Sequence, residues 1–71
     1  MTTSRGKKLV HEGNYAAEVD VELIRDDGSW GPYLSVAAAK KLDEVRVALR
    51  RGDIKTASRL SRVYSLTPVA V

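Results

Sequence analysis

Residues 13–24 read GNYAAEVDVELI, and this stretch decides the fold. Gly13 and Asn14 are a two-residue turn signal of the kind that joins the strands of a hairpin. After them, apolar and polar side chains alternate, which predicts a strand with one buried and one solvated face. We therefore expect a β-hairpin over residues 8–24. Its solvated face carries a row of carboxylates: Glu18, Asp20 and Glu22.

The segments on either side of the hairpin are predicted to be less regular. Residues 1–6 are polar, and we expect them to be disordered. Residues 30–34, WGPYL, predict a short third strand, which Pro32 confines to a sheet edge. Trp30 and Tyr33 either close a small core that lacks Phe or anchor a partner, since Trp and Tyr are enriched at interface hot spots. Both interpretations stay open.

The following segment predicts a helix with a clear start and a clear end. Ser35 is a good N-cap, and Gly52 suits the position just after the last turn. Four apolar residues recur on one face of this helix: Ala38, Leu42, Val45 and Leu49.

A second helix is expected to begin with Asp53 as its N-cap, and Pro68 stops it at or before Thr67. Its apolar side chains are those of Ala57, Leu60, Val63 and Tyr64.

The second helix also carries the main functional candidate, a basic stripe. The stripe consists of Lys55, Arg59 and Arg62, with Arg50 and Arg51 near the turn. Such side chains can contact a phosphate backbone, and two helices across a tight turn suit a helix-turn-helix that enters the major groove. The stripe lacks the Asn or Gln that often read adenine. An acidic protein groove is the alternative partner.

We expect both helices to pack on the apolar hairpin face formed by Tyr15, Val19 and Val21. The basic stripe and the acidic row would then lie on opposite sides of the molecule. The charge distribution agrees with this expectation: residues 1–34 hold four Lys/Arg and six Asp/Glu, net −2, whereas residues 35–71 hold eight and three, net +5.

The composition limits the chemistry and the location that can be expected of the chain. The 71 residues form one domain, residues 1–71, without cysteine and with a single histidine, His11. These counts argue against disulfides, a zinc site and a nucleophile–base pair, so we expect no metal, cofactor, small-molecule substrate or enzymatic activity. No apolar run of about 18 residues is present, so we expect a cytoplasmic protein that does not enter membranes. A core this small supplies about 3–5 kcal/mol, which favours association with itself or a partner.

The chain is expected to finish in an extended tail, residues 65–71. Its apolar residues are Leu66, Val69 and Val71. Such a tail either pairs with the hairpin or adds to another chain as a strand, and both possibilities stay open.

Two resemblances follow from these segments. Residues 48–60, ALRRGDIKTASRL, look like one helical hairpin of a tetratricopeptide-type repeat, which implies paired helices. The order of a hairpin (residues 15–24), a Gly-containing loop, a helix and an extended tail resembles small bacterial antitoxins. That resemblance implies neutralisation of a ribonuclease-like basic toxin by direct binding, with DNA binding at the operator.

The sequence thus predicts an α+β fold: a β-hairpin or three-stranded meander, then a two-helix hairpin and an extended tail. We expect a non-enzymatic binding protein of antitoxin type. A stand-alone DNA-binding regulator and a homodimeric interaction protein are the alternatives. The residues expected to meet a protein partner are Glu18, Asp20, Glu22, Trp30, Tyr33, Val69 and Val71. Those expected to meet DNA or an anionic partner are Arg50, Arg51, Lys55, Arg59 and Arg62.

Overall fold

The computed structural model describes residues 2–25, 28 and 31–70. Along the chain the elements are β1 (Thr2–Glu12), β2 (Tyr15–Arg25), β3 (Tyr33–Leu34), α1 (Val36–Arg50), α2 (Ile54–Leu60) and β4 (Arg62–Ser65). The expected α+β class, with an antiparallel meander and two helices, is confirmed. Trp30 and Val71 lie outside the described residues, so the structure does not bear on their expected roles.

Strand β2 is the centre of a four-stranded antiparallel sheet. One edge pairs with β1 along its whole length, from Thr2↔Arg25 to Glu12↔Tyr15. The other edge is shared, because β4 pairs with residues 15–18 and β3 pairs with residues 23–24. Residues 19–22 of β2 therefore face a notch between two short strands.

The predicted hairpin turn is present at Gly13 and Asn14. Gly13 has a φ of 59°, and it occupies the first position of a two-residue loop. A positive φ at that position with Gly is typical of a type II′ turn, whose twist matches that of the flanking strands. The turn thus sets the register of the β1–β2 pair.

The core lies between the sheet and the helices, as the alternation predicts. Val19 and Val45 are fully buried and are the largest side chains at the centre. The remaining buried apolar residues are valines, alanines and one leucine: Val10, Ala17, Val21, Ala38, Ala48, Leu49 and Ala57. Leu42 and Tyr15 pack partly buried against this cluster. The molecule is therefore a two-layer structure with helices on one face of the sheet.

Both predicted helix starts are confirmed. The Ser35 hydroxyl accepts a hydrogen bond from the N–H of Ala38 at 3.0 Å, and the Ser35 N–H donates to the carbonyl of Glu22 at 3.2 Å. Ser35 thereby caps α1 and ties it to the sheet. At the far end of α1, Gly52 has a φ of 77°, which L-residues rarely adopt.

The predicted length of the second helix is wrong. Helix α2 ends at Leu60, and residues 62–65 form β4 instead of a further helical turn. The Ser61 hydroxyl closes the last turn by donating to the carbonyl of Ala57 at 2.7 Å. The physical reason for the change is the open edge of β2, where strand pairing satisfies backbone groups that a longer helix would leave exposed. Val63 is partly buried against the core in its strand position.

The N-terminal end of the chain also differs from expectation, whereas the C-terminal end takes one of the two possibilities that the sequence left open. Residues 2–6 belong to β1, where disorder was expected, because pairing with residues 21–25 of β2 satisfies their backbone groups. The C-terminal segment returns to the hairpin: Ser65 is the last residue of β4, and the Leu66 N–H donates to the carbonyl of Asn14 at 2.7 Å. Residues 66–70 then continue as an exposed segment without regular structure.

Candidate functional site

The outer face of the sheet, on the side away from the helices, has no covering element in the described ranges. Paired residues of neighbouring strands share a face, and successive residues alternate between faces. The outer face therefore holds Thr3, Arg5, Lys7, Leu9, His11, Ala16, Glu18, Asp20, Glu22, Ile24, Tyr33, Arg62 and Tyr64.

The middle of the outer face is a balanced charge ladder. The expected acidic row lies here, but β1 places Arg5 directly across from Glu22 and Lys7 directly across from Asp20. The ammonium of Lys7 also lies 3.2 Å from the Glu18 carboxylate. On the other side of β2, Arg62 is the register partner of Glu18. Three cations thus face three carboxylates, and the expectation of one acidic face opposite a basic face is wrong.

Exposed apolar side chains lie on both sides of this charge ladder. Leu9 is 72% exposed, Tyr33 48% and Tyr64 45%. Tyr64 lies across from Ala16 near the hairpin turn, and Tyr33 lies at the opposite end of the sheet. Tyr33 therefore does not close the core. Its aromatic ring is available on the same face as Leu9 and Tyr64.

The predicted basic stripe is divided between two elements. Lys55 and Arg59 are exposed on α2, whereas Arg62 lies on β4 and on the outer face of the sheet. Helix α2 has 7 residues and is therefore about 10 Å long. Its exposed cations remain a predicted contact for DNA or an anionic partner.

The two arginines near the turn between the helices have structural contacts. The guanidinium of Arg50 donates to the Glu12 carboxylate at 2.9 Å, so part of its charge is compensated by the hairpin. Arg51 is the C-cap of α1, and its N–H donates to the carbonyl of Val47 at 3.0 Å. Its side chain is exposed.

A cleft opens at the notch in the sheet edge. Here the Lys41 ammonium donates to the backbone carbonyl of Asp20 at 3.0 Å, on the side of β2 that faces away from β1 and has no strand partner at this residue. The cleft has a volume of about 390 Å³. Its charged lining residues are Lys7, Glu18, Asp20, Lys41, Arg59 and Arg62. No sequence pattern predicted that Lys41 would join this group, because only the fold brings α1 beside the notch.

Asp53 has a structural role at the start of α2. Its carboxylate accepts hydrogen bonds from the Thr56 hydroxyl at 2.7 Å and from the Thr56 N–H at 3.2 Å. These bonds hold the pKa of Asp53 below its ordinary value, and the charges of Arg59 and Arg51 act in the same direction. The RGD tripeptide is thus part of a helix junction, as the capping pattern predicts.

Few groups with catalytic or ligating chemistry are brought together. Nε2 of His11 lies 3.0 Å from the Gly13 carbonyl oxygen in the adjacent turn. Within the described residues, no three His, Cys, Asp or Glu side chains are placed to hold a metal ion. No helix in the same ranges combines the length and the apolar character needed to cross a bilayer.

The chain was compared with known protein families, with curated proteins and with solved structures. None of these comparisons finds a match.

Proposed function

We propose that this chain is a non-enzymatic, cytoplasmic protein-binding module that docks one partner protein on the outer face of its sheet. The observation that carries the proposal is the joint exposure of Leu9, Tyr33 and Tyr64 on that uncovered face. The mode of action is the one expected of an antitoxin, in which a small protein neutralises a toxin by covering its surface.

The chemistry of the outer face suits a protein surface. Tyrosine offers a large apolar area with one polar group, and it is enriched in binding hot spots. Full burial of a leucine side chain such as that of Leu9 contributes about 1.5–3 kcal/mol. The three side chains are spread over three strands, so a partner would have to cover most of the sheet to bury all of them.

The charge ladder between these apolar groups supports specificity. Arg5, Lys7 and Arg62 alternate with carboxylates across the strands, so the band has no net charge. A partner is then selected by the position of its charges, because a like charge opposite any of these groups is unfavourable.

The small core supports an obligate partner. Its largest fully buried side chains are the valines Val19 and Val45, and most of its other members are alanine or valine. A ligand that binds only the folded state raises the free energy of unfolding according to its concentration relative to Kd. The exposed segment 66–70 begins beside the hairpin turn, and it provides an extension that can contact the partner surface.

Co-expression with the product of the neighbouring open reading frame tests this proposal. The test variant changes Leu9, Tyr33 and Tyr64 to Ser. The control variant changes Val36 and Val47 to Ser, because both valines are exposed on α1 and away from the outer face. We expect the test variant to bind the partner at least about tenfold more weakly and the control to bind as the wild type does.

Equal binding by both variants would contradict the docking face. If no complex forms and expression of the neighbouring product is harmless to cells, the antitoxin mode fails as well.

DNA binding through α2 is the alternative outcome. Changing Arg51 and Lys55 to Glu is expected to leave partner binding within about twofold of wild type, since both side chains are exposed and neither belongs to the outer face. A steep, salt-dependent affinity for DNA that this double variant abolishes would favour the regulator instead.

A further inference from the structure

We propose that the free edge of β1 receives an extended, acidic segment of the partner protein as an added strand. The segment would carry carboxylates at alternating positions, across from Arg5 and Lys7. This inference deepens the proposed function and rests on it, because it names a second contact and the chemistry of the segment that makes it.

The first step is that the edge is long and regular. Strand β1 has 11 residues and pairs only with β2 in the described part of the chain. Its register runs unbroken from Thr2↔Arg25 to Glu12↔Tyr15, and it contains neither a bulge nor a proline. Natural sheets commonly use those devices to block an exposed edge. At about 3.3 Å per residue, the edge offers about 36 Å for a partner segment.

The second step identifies the backbone groups that point outward. A two-residue hairpin loop makes Glu12 and Tyr15 a hydrogen-bonded pair, and such pairs alternate with non-bonded pairs along the strands. Every second residue of β1 then directs its N–H and C=O away from β2. These residues are Thr3, Arg5, Lys7, Leu9 and His11.

The same alternation can be checked on the other edge of the hairpin. It predicts that the carbonyls of Asn14, Asp20 and Glu22 point away from β1. Each of them accepts a hydrogen bond on that side: from the Leu66 N–H at 2.7 Å, the Lys41 ammonium at 3.0 Å and the Ser35 N–H at 3.2 Å. These three bonds agree with the alternation of hydrogen-bonded and non-bonded pairs. The same alternation identifies the residues of β1 whose N–H and C=O groups point away from β2.

The third step is charge. Strand β1 carries three cations, Arg5, Lys7 and Lys8, and a single carboxylate at its end, Glu12. That carboxylate is already engaged by Arg50 at 2.9 Å. On the edge that faces β2, β1 already pairs with an acidic strand, whose Glu22 and Asp20 lie opposite Arg5 and Lys7. A strand added at the free edge of β1 would meet the side chains of Arg5 and Lys7 on the same face, so an acidic segment is complementary to that edge.

The fourth step rules against a second copy of this chain as the occupant. Full antiparallel overlap of two β1 strands places Lys7 opposite Lys7. A slip of one or two residues in either direction instead places two of Arg5, Lys7 and Lys8 opposite each other, or Lys8 opposite itself. Parallel pairing in register opposes all three cations to themselves. Like charges directly across a ladder are destabilising, so β1 is protected against self-pairing while its edge stays open.

The binding experiment uses a peptide with the sequence of residues 16–24, AAEVDVELI, as the acidic probe. A control peptide replaces its three carboxylate residues by Lys. Full-length protein is titrated with each peptide, and amide exchange is followed residue by residue. We expect the acidic peptide to slow exchange at Arg5, Lys7 and Leu9 but not at Lys8 and Val10, whose N–H groups already face β2. The Lys peptide should bind at least about tenfold more weakly.

Two variants at one position separate the backbone from the side chain. Lys7→Gln removes the charge and keeps the outward N–H, whereas Lys7→Pro removes both and keeps the bonds between β1 and β2. We expect Lys7→Pro to bind the acidic peptide about tenfold more weakly than Lys7→Gln. The inference would be overturned if the two variants bound the acidic peptide equally, or if the wild type bound the two peptides equally. It would also be overturned if the peptide slowed amide exchange only in other strands. The exchange pattern of the wild type decides the question if Lys7→Pro does not fold.

The outer-face variant with Ser at Leu9, Tyr33 and Tyr64 separates this inference from the proposed function. It keeps the N–H groups of the β1 edge, so it should bind the acidic peptide with wild-type affinity. If partner binding depends on the outer face but the peptide does not protect β1, the strand addition is contradicted and the docking face is not. If the peptide protects β1 but partner binding does not depend on the outer face, the docking face is contradicted and the strand addition is not.

Discussion

The two edges of the β1–β2 hairpin are closed to very different degrees. The edge of β2 that faces away from β1 is covered over most of its length: by β4 at residues 15–18, by Lys41 at the Asp20 carbonyl, by Ser35 at the Glu22 carbonyl and by β3 at residues 23–24. The corresponding edge of β1 has no strand partner among the described residues. Both strands have 11 residues, so length does not explain the difference.

What differs is which parts of the chain can return to each edge. Helices α1 and α2 cross the core face and deliver Ser35, Lys41 and β4 to the edge of β2. No strand in residues 31–70 pairs with the free edge of β1, although Arg50 contacts Glu12 at the end of that strand. The exposed cations of β1 are the feature that protects this edge against self-pairing. The comparison indicates that one edge contributes to the stability of the fold, and the other is the edge to which we propose that a partner strand is added.

The largest expected effect comes from reopening the closed edge. Tyr64→Pro removes an N–H that, by the alternation along β4, donates to the carbonyl of Ala16. We expect it to lower the free energy of unfolding by about 2 kcal/mol more than Tyr64→Thr, which removes the ring but keeps the bond. Lys7→Pro on the open edge should cost less than about 0.5 kcal/mol relative to Lys7→Gln. Urea denaturation of the four variants measures both differences, and equal costs at the two edges would refute the comparison.

A smaller effect is expected at the notch. Lys41→Met removes the ammonium that donates to the Asp20 carbonyl, which leaves that carbonyl to water. We expect a loss of about 1 kcal/mol in the free energy of unfolding. The adjacent Lys40 is exposed, so Lys40→Met is the matched control and should change stability by less than about 0.5 kcal/mol. Thermal unfolding of both variants measures the contrast; equal losses would show that Lys41 does not close the edge.

The smallest effect concerns the helix that delivers β4, and it depends on pH. The pKa of Asp53 is lowered in the folded state, because Thr56 donates two hydrogen bonds to its carboxylate. The carboxylate therefore adds stability above its ordinary pKa of 3.8, and this contribution is lost as the pH falls through the lower folded value. Asp53→Asn keeps a capping oxygen but cannot titrate in this range.

We expect the wild type to exceed Asp53→Asn in stability near neutral pH, and this margin to narrow as the pH falls below about 4. Urea midpoints measured from pH 7 to pH 2 test the trend. A margin that stays constant or widens toward low pH would contradict the role of Asp53 as an ionised cap.

Local signals predicted the central strand and the helix junctions well. The alternation in residues 15–24 is confirmed by the burial of Ala17, Val19 and Val21. The N-caps at Ser35 and Asp53 are confirmed by their hydrogen bonds. These features depend on the chemistry of residues within a few positions of each other, so the sequence displays them directly.

The C-terminal part of α2 was mispredicted for a physical reason. Ala57, Leu60 and Val63 recur at helical spacing, and this pattern does not distinguish a third helical turn from a strand that also buries Val63. Strand pairing prevails because the edge of β2 at residues 15–18 provides hydrogen-bond partners that are absent from the local sequence. The candidate site changed accordingly, since Arg62 moved from a helix face to the sheet.

The sequence by itself determined the hairpin and its turn, the face of β2 that enters the core, and the residues at which α1 and α2 begin. Each of these follows from side-chain spacing and from the preferences of Gly, Ser and Asp for particular backbone positions. Only the tertiary structure decided that β1 neutralises the carboxylates of β2, that β4 and Lys41 close one edge, and that the other edge stays free. Those outcomes depend on register and on the return of distant segments, because an electrostatic or hydrogen-bond partner is defined by position in space.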